Sequence, residues 1–332
     1  MKPTRAAALL IGLALLAGGC AKNAFPTNTD PGTESSTARA LPSPFTVIAR
    51  YTAASLGLSH PDALAIGPDG NLYVTDRSER VSVISPAGRV LRRWGTPGSG
   101  PGEFKFVTGA PAATTIIQGK IAVGLDGTVI VSDSGNARVQ EFTPQGRFVR
   151  QFGSYGTGKG RFLFPGDVAV DSAGNIYITD DQSETLTRFS PLGTVAWTIG
   201  GTAASDPDLV GHFHFTRFDA HGRLVIANDD QDRVLYVDSS GHKVDAFSPI
   251  TSGNEHVCEV TLDAAGNTYV SGCGPKPTGP TRVYNRAHQL IATWPGTRYS
   301  LLRSPVFGPH GEVFALATDG SILSLRISLS GA

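Results

Sequence analysis

A short pattern, a turn glycine followed by alternating apolar residues, recurs six times along this chain: GPDGNLYVTD at 67–76, GLDGTVIVSD at 124–133, DSAGNIYITD at 171–180, DAHGRLVIAN at 219–228, DAAGNTYVSG at 263–272 and GPHGEVFALA at 308–317. The turn glycines, Gly70, Gly127, Gly174, Gly222, Gly266 and Gly311, are spaced by about 48 residues on average. Glycine suits a tight hairpin because it adopts positive φ without a steric penalty. The flanks alternate at period two, as in Leu72 with Val74 and Ile176 with Ile178, which is strand spacing. A second turn glycine follows 18 or 19 residues later in four copies, at Gly88, Gly146, Gly193 and Gly241. Each repeat therefore holds two hairpins, and four antiparallel strands per repeat make a propeller blade. The fifth repeat departs from this, with GPKPTGP at 274–280 between its second and third strands and its second turn near His288. With 40 Gly and 22 Pro in 332 residues, composition favours turns over helices in the same way.

The last repeat supplies strands around 304–308, 312–317 and 321–327 and then stops, one strand short. Phe45 to Tyr51 (FTVIARY) precedes the first repeat and matches the fourth-strand segments RVLRRWG (89–95) and RFVRQFG (147–153). Adding this strand to the last blade removes the open edge that an incomplete sheet would leave. The expected fold is all-β: a six-bladed β-propeller of four-stranded antiparallel blades, closed by an N-terminal strand completing the last blade. The segments DSGNARVQEF (133–142), GTPGSGPGEF (95–104) and GSYGTGKGRFLFPGDVAVD (153–171) resemble NHL repeats over about 45–332. Gly95, Gly98, Gly100, Gly102 and Phe104 return as Gly153, Gly156, Gly158, Gly160 and Phe162, and a weaker version, Gly211 to Phe213, precedes the fourth blade. Six blades is also the usual count for NHL propellers.

Residues 1–19 carry Lys2 and Arg5, an apolar run from Ala6 to Ala17, and Gly18-Gly19 before Cys20. They resemble a bacterial lipoprotein signal, with Cys20 the lipid attachment site and mature N-terminus. The apolar run is shorter than the roughly 20 residues needed to span a bilayer, so it reads as a removable signal. Residues 20–44 are rich in Pro, Thr, Ser and Asn, too polar to offset ordering entropy by burial, and read as a flexible tether. The propeller occupies 45–332. The chain carries 28 basic and 28 acidic residues, a balance that excludes a dedicated nucleic-acid binder.

Asp76, Asp133, Asp180 and Asn228 each stand six residues after a turn glycine. Short polar side chains there brace turn amides, with Arg80, Arg138 and Arg233 as pairing partners. Trp94, Phe152, Phe247 and Trp294, near the ends of fourth strands, are expected to pack between blades. Ten residues before the turn glycine is the start of the innermost strand, at the mouth of the central channel, and His60, His212 and His256 hold that place in blades one, four and five. Asp62 and His214 lie two residues further along. Imidazoles converging on a channel would bind zinc or calcium there, leaving an open position to activate water. This layout resembles that of the peptidylglycine amidating lyases, whose channel metal is held by histidines from alternating blades. Cys258 and Cys273 fall on neighbouring strands of blade five, opposite or diagonal, and in an exported protein are expected to form a disulfide. A Cys258 ligand beside His256 is the alternative and needs a reduced thiol. No phosphate loop, GxSxG, HExxH or CxxC is present.

These readings make the protein an exported, membrane-anchored monomer on the cell envelope that binds a peptide, glycan or envelope protein through its face and loops, the longest being Gly95 to Lys120. A metal-dependent lyase or hydrolase using the channel-mouth histidines is the alternative, and a structural subunit of an envelope complex is a third.

Overall fold

The computed structural model describes residues 45–108, 116–117, 119–202, 204–249, 256–273, 280–294 and 305–329. The signal segment, Cys20, the tether and most of the 274–280 insertion lie outside the described residues.

Six four-stranded antiparallel sheets follow one another along the chain. From the channel outward, blade 1 is Pro61–Ile66, Leu72–Asp76, Arg80–Ile84 and Val90–Trp94; blade 2 is Ile121–Val123, Val129–Asp133, Arg138–Phe142 and Phe148–Phe152. Blade 3 is Pro165–Val170, Ile176–Asp180, Thr185–Phe189 and Val195–Gly200; blade 4 is Phe213–Phe218, Leu224–Asn228, Arg233–Val237 and Lys243–Phe247. Blade 5 is His256–Leu262, Thr268–Cys273, Thr281–Tyr284 and Leu290–Trp294. Blade 6 takes Val306–Phe307, Val313–Leu316 and Ile322–Ile327, with Phe45–Tyr51 as its outer strand. That strand pairs from Phe45 opposite Ile327 to Tyr51 opposite Ile322, so the ring is closed by the start of the propeller meeting its end.

All six first-turn glycines have φ between +73° and +88°, the left-handed region that the hairpin requires. In blade 5 the second turn is carried by His288, at φ +59°, and its ring stacks on Phe247 at 4.2 Å. On this face the turn aspartates also hold buried tyrosines: the Tyr177 hydroxyl donates to Asp171 at 3.2 Å and Tyr269 to Asp263 at 3.0 Å. Burial, reinforced by the Asp171 charge, pushes the Tyr177 phenol up to about 12.

The apolar cores lie between blades. Phe104, Phe106, Val129 and Phe142 pack with Tyr73, Val81 and Val83 across the seam of blades 1 and 2, and five further clusters fill the remaining seams in the same manner. Fourth-strand aromatics act as the expected wedges: Trp94 lies 5.9 Å from Phe142, Phe152 4.8 Å from Phe189, Phe247 5.2 Å from Tyr284 and Trp294 4.5 Å from Phe45. The two glycine-rich links are built alike. Phe104 bridges Pro97 and Phe162 bridges Tyr155, and both rings are buried. A Cβ on Gly95 would sit 2.6 Å from the Phe104 ring, and one on Gly153 2.5 Å from the Phe162 ring, so only glycine lets the ring pass beneath the link. The Gly95-to-Lys120 connection thus begins as blade linkage, followed by the short pair Val107–Thr108 and Ile116–Ile117.

Closure should therefore depend on one side chain as much as on strand pairing. Phe45 is buried against Tyr269 and Trp294. Phe45→Ala is expected to lower the unfolding free energy in urea by about 3–5 kcal/mol, with a loss below about 1 kcal/mol contradicting the role given to this strand.

Candidate functional site

The face of interest is the one where blade-to-blade links enter the inner strands and where the turns between second and third strands lie. Its geometry is set by the short polar side chains that end the second strands. Asp76 accepts from the Ser59 amide at 3.1 Å and the Ser78 amide at 2.8 Å. Asp133 accepts from Lys105 N at 2.7 Å, and Asp180 from Leu163 N at 2.7 Å. Asn228 donates to the carbonyls of Asp208 and Val210, both at 3.0 Å. Each of the four is buried, so this ring clamps the incoming link of its own or the preceding segment and offers no carboxylate to a ligand. The arginine partners follow in two cases: Arg80 lies 3.5 Å from Asp76 and Arg138 2.7 Å from Asp133. Arg233 differs. It pairs with Asp208 at 2.6 Å, because the amide at Asn228 carries no charge to hold it.

The channel is closed at its waist by paired charges on or directly before successive inner strands. Lys120 lies 3.2 Å from Asp62, both buried, and Arg217 lies 3.6 Å from Asp167. Glu259 lines the same wall, and the void left there is about 20 Å³, room for about one water. Asp62 is therefore part of this plug. A larger void of about 300 Å³ opens on the opposite rim between blades 5 and 6, beside Tyr269, Phe307 and Ile327.

The histidines separate. His60 is exposed at φ +48°, directly before Pro61. Nδ1 of His256 donates to Asp232 at 3.1 Å, and that imidazole is half-exposed. Nδ1 of His212 donates to Asp230 at 2.8 Å, while its Nε2 faces Glu184 at 4.0 Å. Nε2 of His214 lies 3.2 Å from Asp229. Burial alone would lower the His214 pKa, yet the Asp229 hydrogen bond and the Asp181 and Asp229 charges outweigh it and raise the value above the ordinary range. Metal-donor atoms within 4.8 Å of one another are found, among the described residues, in Glu184, His212 and Asp230. Among the described residues His60, His212 and His256 do not share a donor set: His212 is engaged by Asp230 of its own blade and faces Glu184 of blade 3, His256 is engaged by Asp232 of blade 4, and His60 is exposed.

Cys258 sits at a register shift between Val257 and Glu259 and is disulfide-bonded, which removes it as a ligand beside His256. His256 pairs with Cys273 in the sheet register, and the Cys273 side chain lies outside the described residues. Glu184, Asp229, Asp230 and Asp232 were not among the expected site residues. For Asp229, Asp230 and Asp232 the signal was the acidic run Asn228-Asp-Asp-Gln-Asp232 in a turn, with a non-glycine residue at its left-handed position, a position that Glu184 holds in blade 3.

Comparison with known proteins agrees with this architecture. A family described as "6-bladed beta-propeller" matches residues 117–195, blade 2 and the first strands of blade 3. Protein brain tumor of Drosophila melanogaster is 29% identical over 129 residues, 38% of this chain, and the match spans only 12% of that protein. Among solved structures, streptogramin B lyase superimposes with a TM-score of 0.58 at 13% identity, covering 86% of this chain and 98% of the other. Virginiamycin B lyase from Staphylococcus aureus, solved as an inactive variant with quinupristin, gives 0.57 at 13% identity over 86% and 100%. A putative gluconolactonase gives 0.60 at 13% identity over 86% and 92%. At this identity the likeness carries the fold.

The clamp has a measurable weight. Asp133 is fully buried and holds the Lys105 amide, Arg138 and Gln140. Asp133→Ala leaves the Arg138 guanidinium without its buried counter-charge and is expected to cost about 3–5 kcal/mol in urea unfolding. A cost below about 1 kcal/mol would show that the brace is dispensable.

Proposed function

We propose that this protein is an exported, lipid-anchored propeller of the NHL type that works as a binding module, presenting its mouth face to a peptide, glycan or envelope-protein partner. The observation that carries this reading is the plugged channel. With Lys120 on Asp62 and Arg217 near Asp167, the waist leaves space for about one water, so a larger ligand is met on a face of the disc and not inside the channel. That face carries exposed polar and aromatic groups, including His256, Asp232 and Tyr155, on links and turns held by the buried clamps below them. The anchor rests on the segment up to Cys20, and no helix among the described residues is long and apolar enough to cross a membrane.

A second reading, a metal-dependent lyase or hydrolase, is favoured by the Glu184, His212 and Asp230 donor set on the same face. Substrate would then be turned over at the mouth, and catalysis would add to binding instead of replacing it.

Two measurements test the first reading. The mature chain is applied to peptide and glycan arrays beside a mouth-face variant (Tyr155→Ala, Asp232→Ala, His256→Ala) and an opposite-face variant (Leu125→Ser, Leu192→Ser). Binding is expected to fall roughly tenfold or more in the mouth-face variant only; no ligand on either array, or equal loss in both variants, contradicts it. Cys20→Ser should move the exported protein from the membrane fraction to the soluble one, and its retention on the membrane would overturn the anchor.

A further inference from the structure

The turns between second and third strands place one residue at positive φ just before the third strand: Glu79 in blade 1, Ala137 in blade 2, Glu184 in blade 3 and Asp232 in blade 4. In two of these blades that side chain is a fastener to the next blade. The Phe106 amide of the link into blade 2 donates to Glu79. The Val257 amide, at the start of blade 5, donates to Asp232 at 3.3 Å, as does Nδ1 of His256. Glu184 occupies the same place toward blade 4 but not the same bond. The amide of neighbouring His212 donates instead to Asp230 at 3.3 Å. Among the described residues, no hydrogen bond reaches the Glu184 carboxylate, which faces Nε2 of His212 across 4.0 Å.

That gap is chemically defined. Asp230 is a carboxylate and accepts, so Nδ1 of His212 donates to it and Nε2 is the ring nitrogen that faces Glu184. A distance of 4.0 Å is too long for a hydrogen bond, and a small closure would bring the two atoms to the roughly 3.3–3.4 Å that separates two ligands held at about 2.0–2.1 Å on a tetrahedral ion. A second, separate observation points the same way. Asp229 is only 8% exposed, and its Oδ1 is buried with no hydrogen bond, 4.0 Å from Nδ1 of His212. Its other oxygen is occupied by His214 at 3.2 Å. Three carboxylates thus surround one imidazole at the seam of blades 3 and 4, and one of them keeps a buried oxygen without a hydrogen bond. Such an excess of negative charge and acceptor atoms is what a bound cation relieves.

We propose that Glu184 and Nε2 of His212 are protein ligands of a divalent first-row transition-metal ion, with Asp230, on Nδ1, and buried Asp229 as its outer counter-charges. The imidazole nitrogen in the donor set selects this class, because calcium and magnesium take oxygen ligands. The hydrogen bond from Nδ1 to Asp230 orients the ring as outer partners of metal-bound histidines do. An ion here would fasten blade 3 to blade 4, the job done by Glu79 and Asp232 at their own seams. The inference does not depend on what the face binds or on whether it catalyses.

The test uses the untagged mature chain, stripped of metal by chelator dialysis, with zinc chloride as the only addition. Calorimetry and metal analysis should give about one zinc per chain, and zinc should raise the melting temperature. Glu184→Gln and His212→Gln, each checked for native circular dichroism, are expected to weaken zinc binding by roughly 10–100-fold. His256→Gln, on the same face but outside the donor set, should bind as the parent does. Absence of zinc uptake, uptake unchanged in Glu184→Gln and His212→Gln, loss of the same size in His256→Gln, or uptake of calcium but not zinc would each overturn the site. No partner is present in these measurements, so their failure leaves the face-binding reading standing, and failure of the arrays leaves the metal site standing.

Discussion

No blade of this protein owns a core. The apolar faces of its sheets are completed by the neighbouring sheet, as where Leu72 and Val74 of blade 1 meet Leu316 and Ile322 of blade 6, or where Leu186 of blade 3 meets Leu235 and Val237 of blade 4. A four-stranded sheet with one unpartnered apolar face is marginal in water, so each blade needs both neighbours and the ring must close. Closure by Phe45–Tyr51 is the consequence, as are the fourth-strand aromatics wedged into the next seam. Once the seams fix the spacing of the inner strands, the channel can be no wider than they allow, and its width here is filled by opposite charges that neutralise one another.

The same constraint shapes the mouth face. Links between blades must turn sharply and dive under the preceding blade, and their backbone amides need acceptors there. Asp76, Asp133 and Asp180 supply them inside each blade, while Glu79 and Asp232 supply them across a seam. The seam of blades 3 and 4 differs in its chemistry: among the described residues no amide donates to the Glu184 carboxylate, which faces the His212 imidazole, while the His212 amide donates to Asp230. His214 lies beside the same carboxylates, and the Asp229 hydrogen bond with the Asp181 and Asp229 charges raises its pKa. The buried clamps make this face rigid, and the residues outside them supply its chemistry.

The blade count, the two hairpins per repeat, the shifted turn at His288 and the closing strand were legible in the sequence because each leaves a local mark: a glycine where φ is positive, alternation at period two, or a duplicated segment. The wedge aromatics and the structural role of the strand-end aspartates were legible for the same reason. The histidine site was not. Counting back from the turn glycines correctly finds equivalent positions, but equivalent positions are carried round the ring by its symmetry, and blades 1 and 4 stand on opposite sides of a six-bladed disc. His212 and His256 are instead met by turns of the blades before them, at Glu184 and Asp232, which lie 28 and 24 residues upstream in the chain. Those turns carry their left-handed residue without a glycine to announce it, so nothing in a periodic pattern marks Glu184 or Asp229. Arg233 shows the same limit: its distance from Asn228 repeats, but the charge that decides its partner sits on Asp208, in the link.

The central claim is that the seams, and not the blades, are the units of stability. Native-state hydrogen exchange of the intact domain measures this directly. If the cores are shared, the slowest amides of the second strands in all six blades should exchange with one common opening free energy and one common dependence on denaturant, because no blade can open without exposing its neighbours' cores. A ladder of distinct opening free energies, blade by blade, would contradict it and would mean that each sheet is stable by itself.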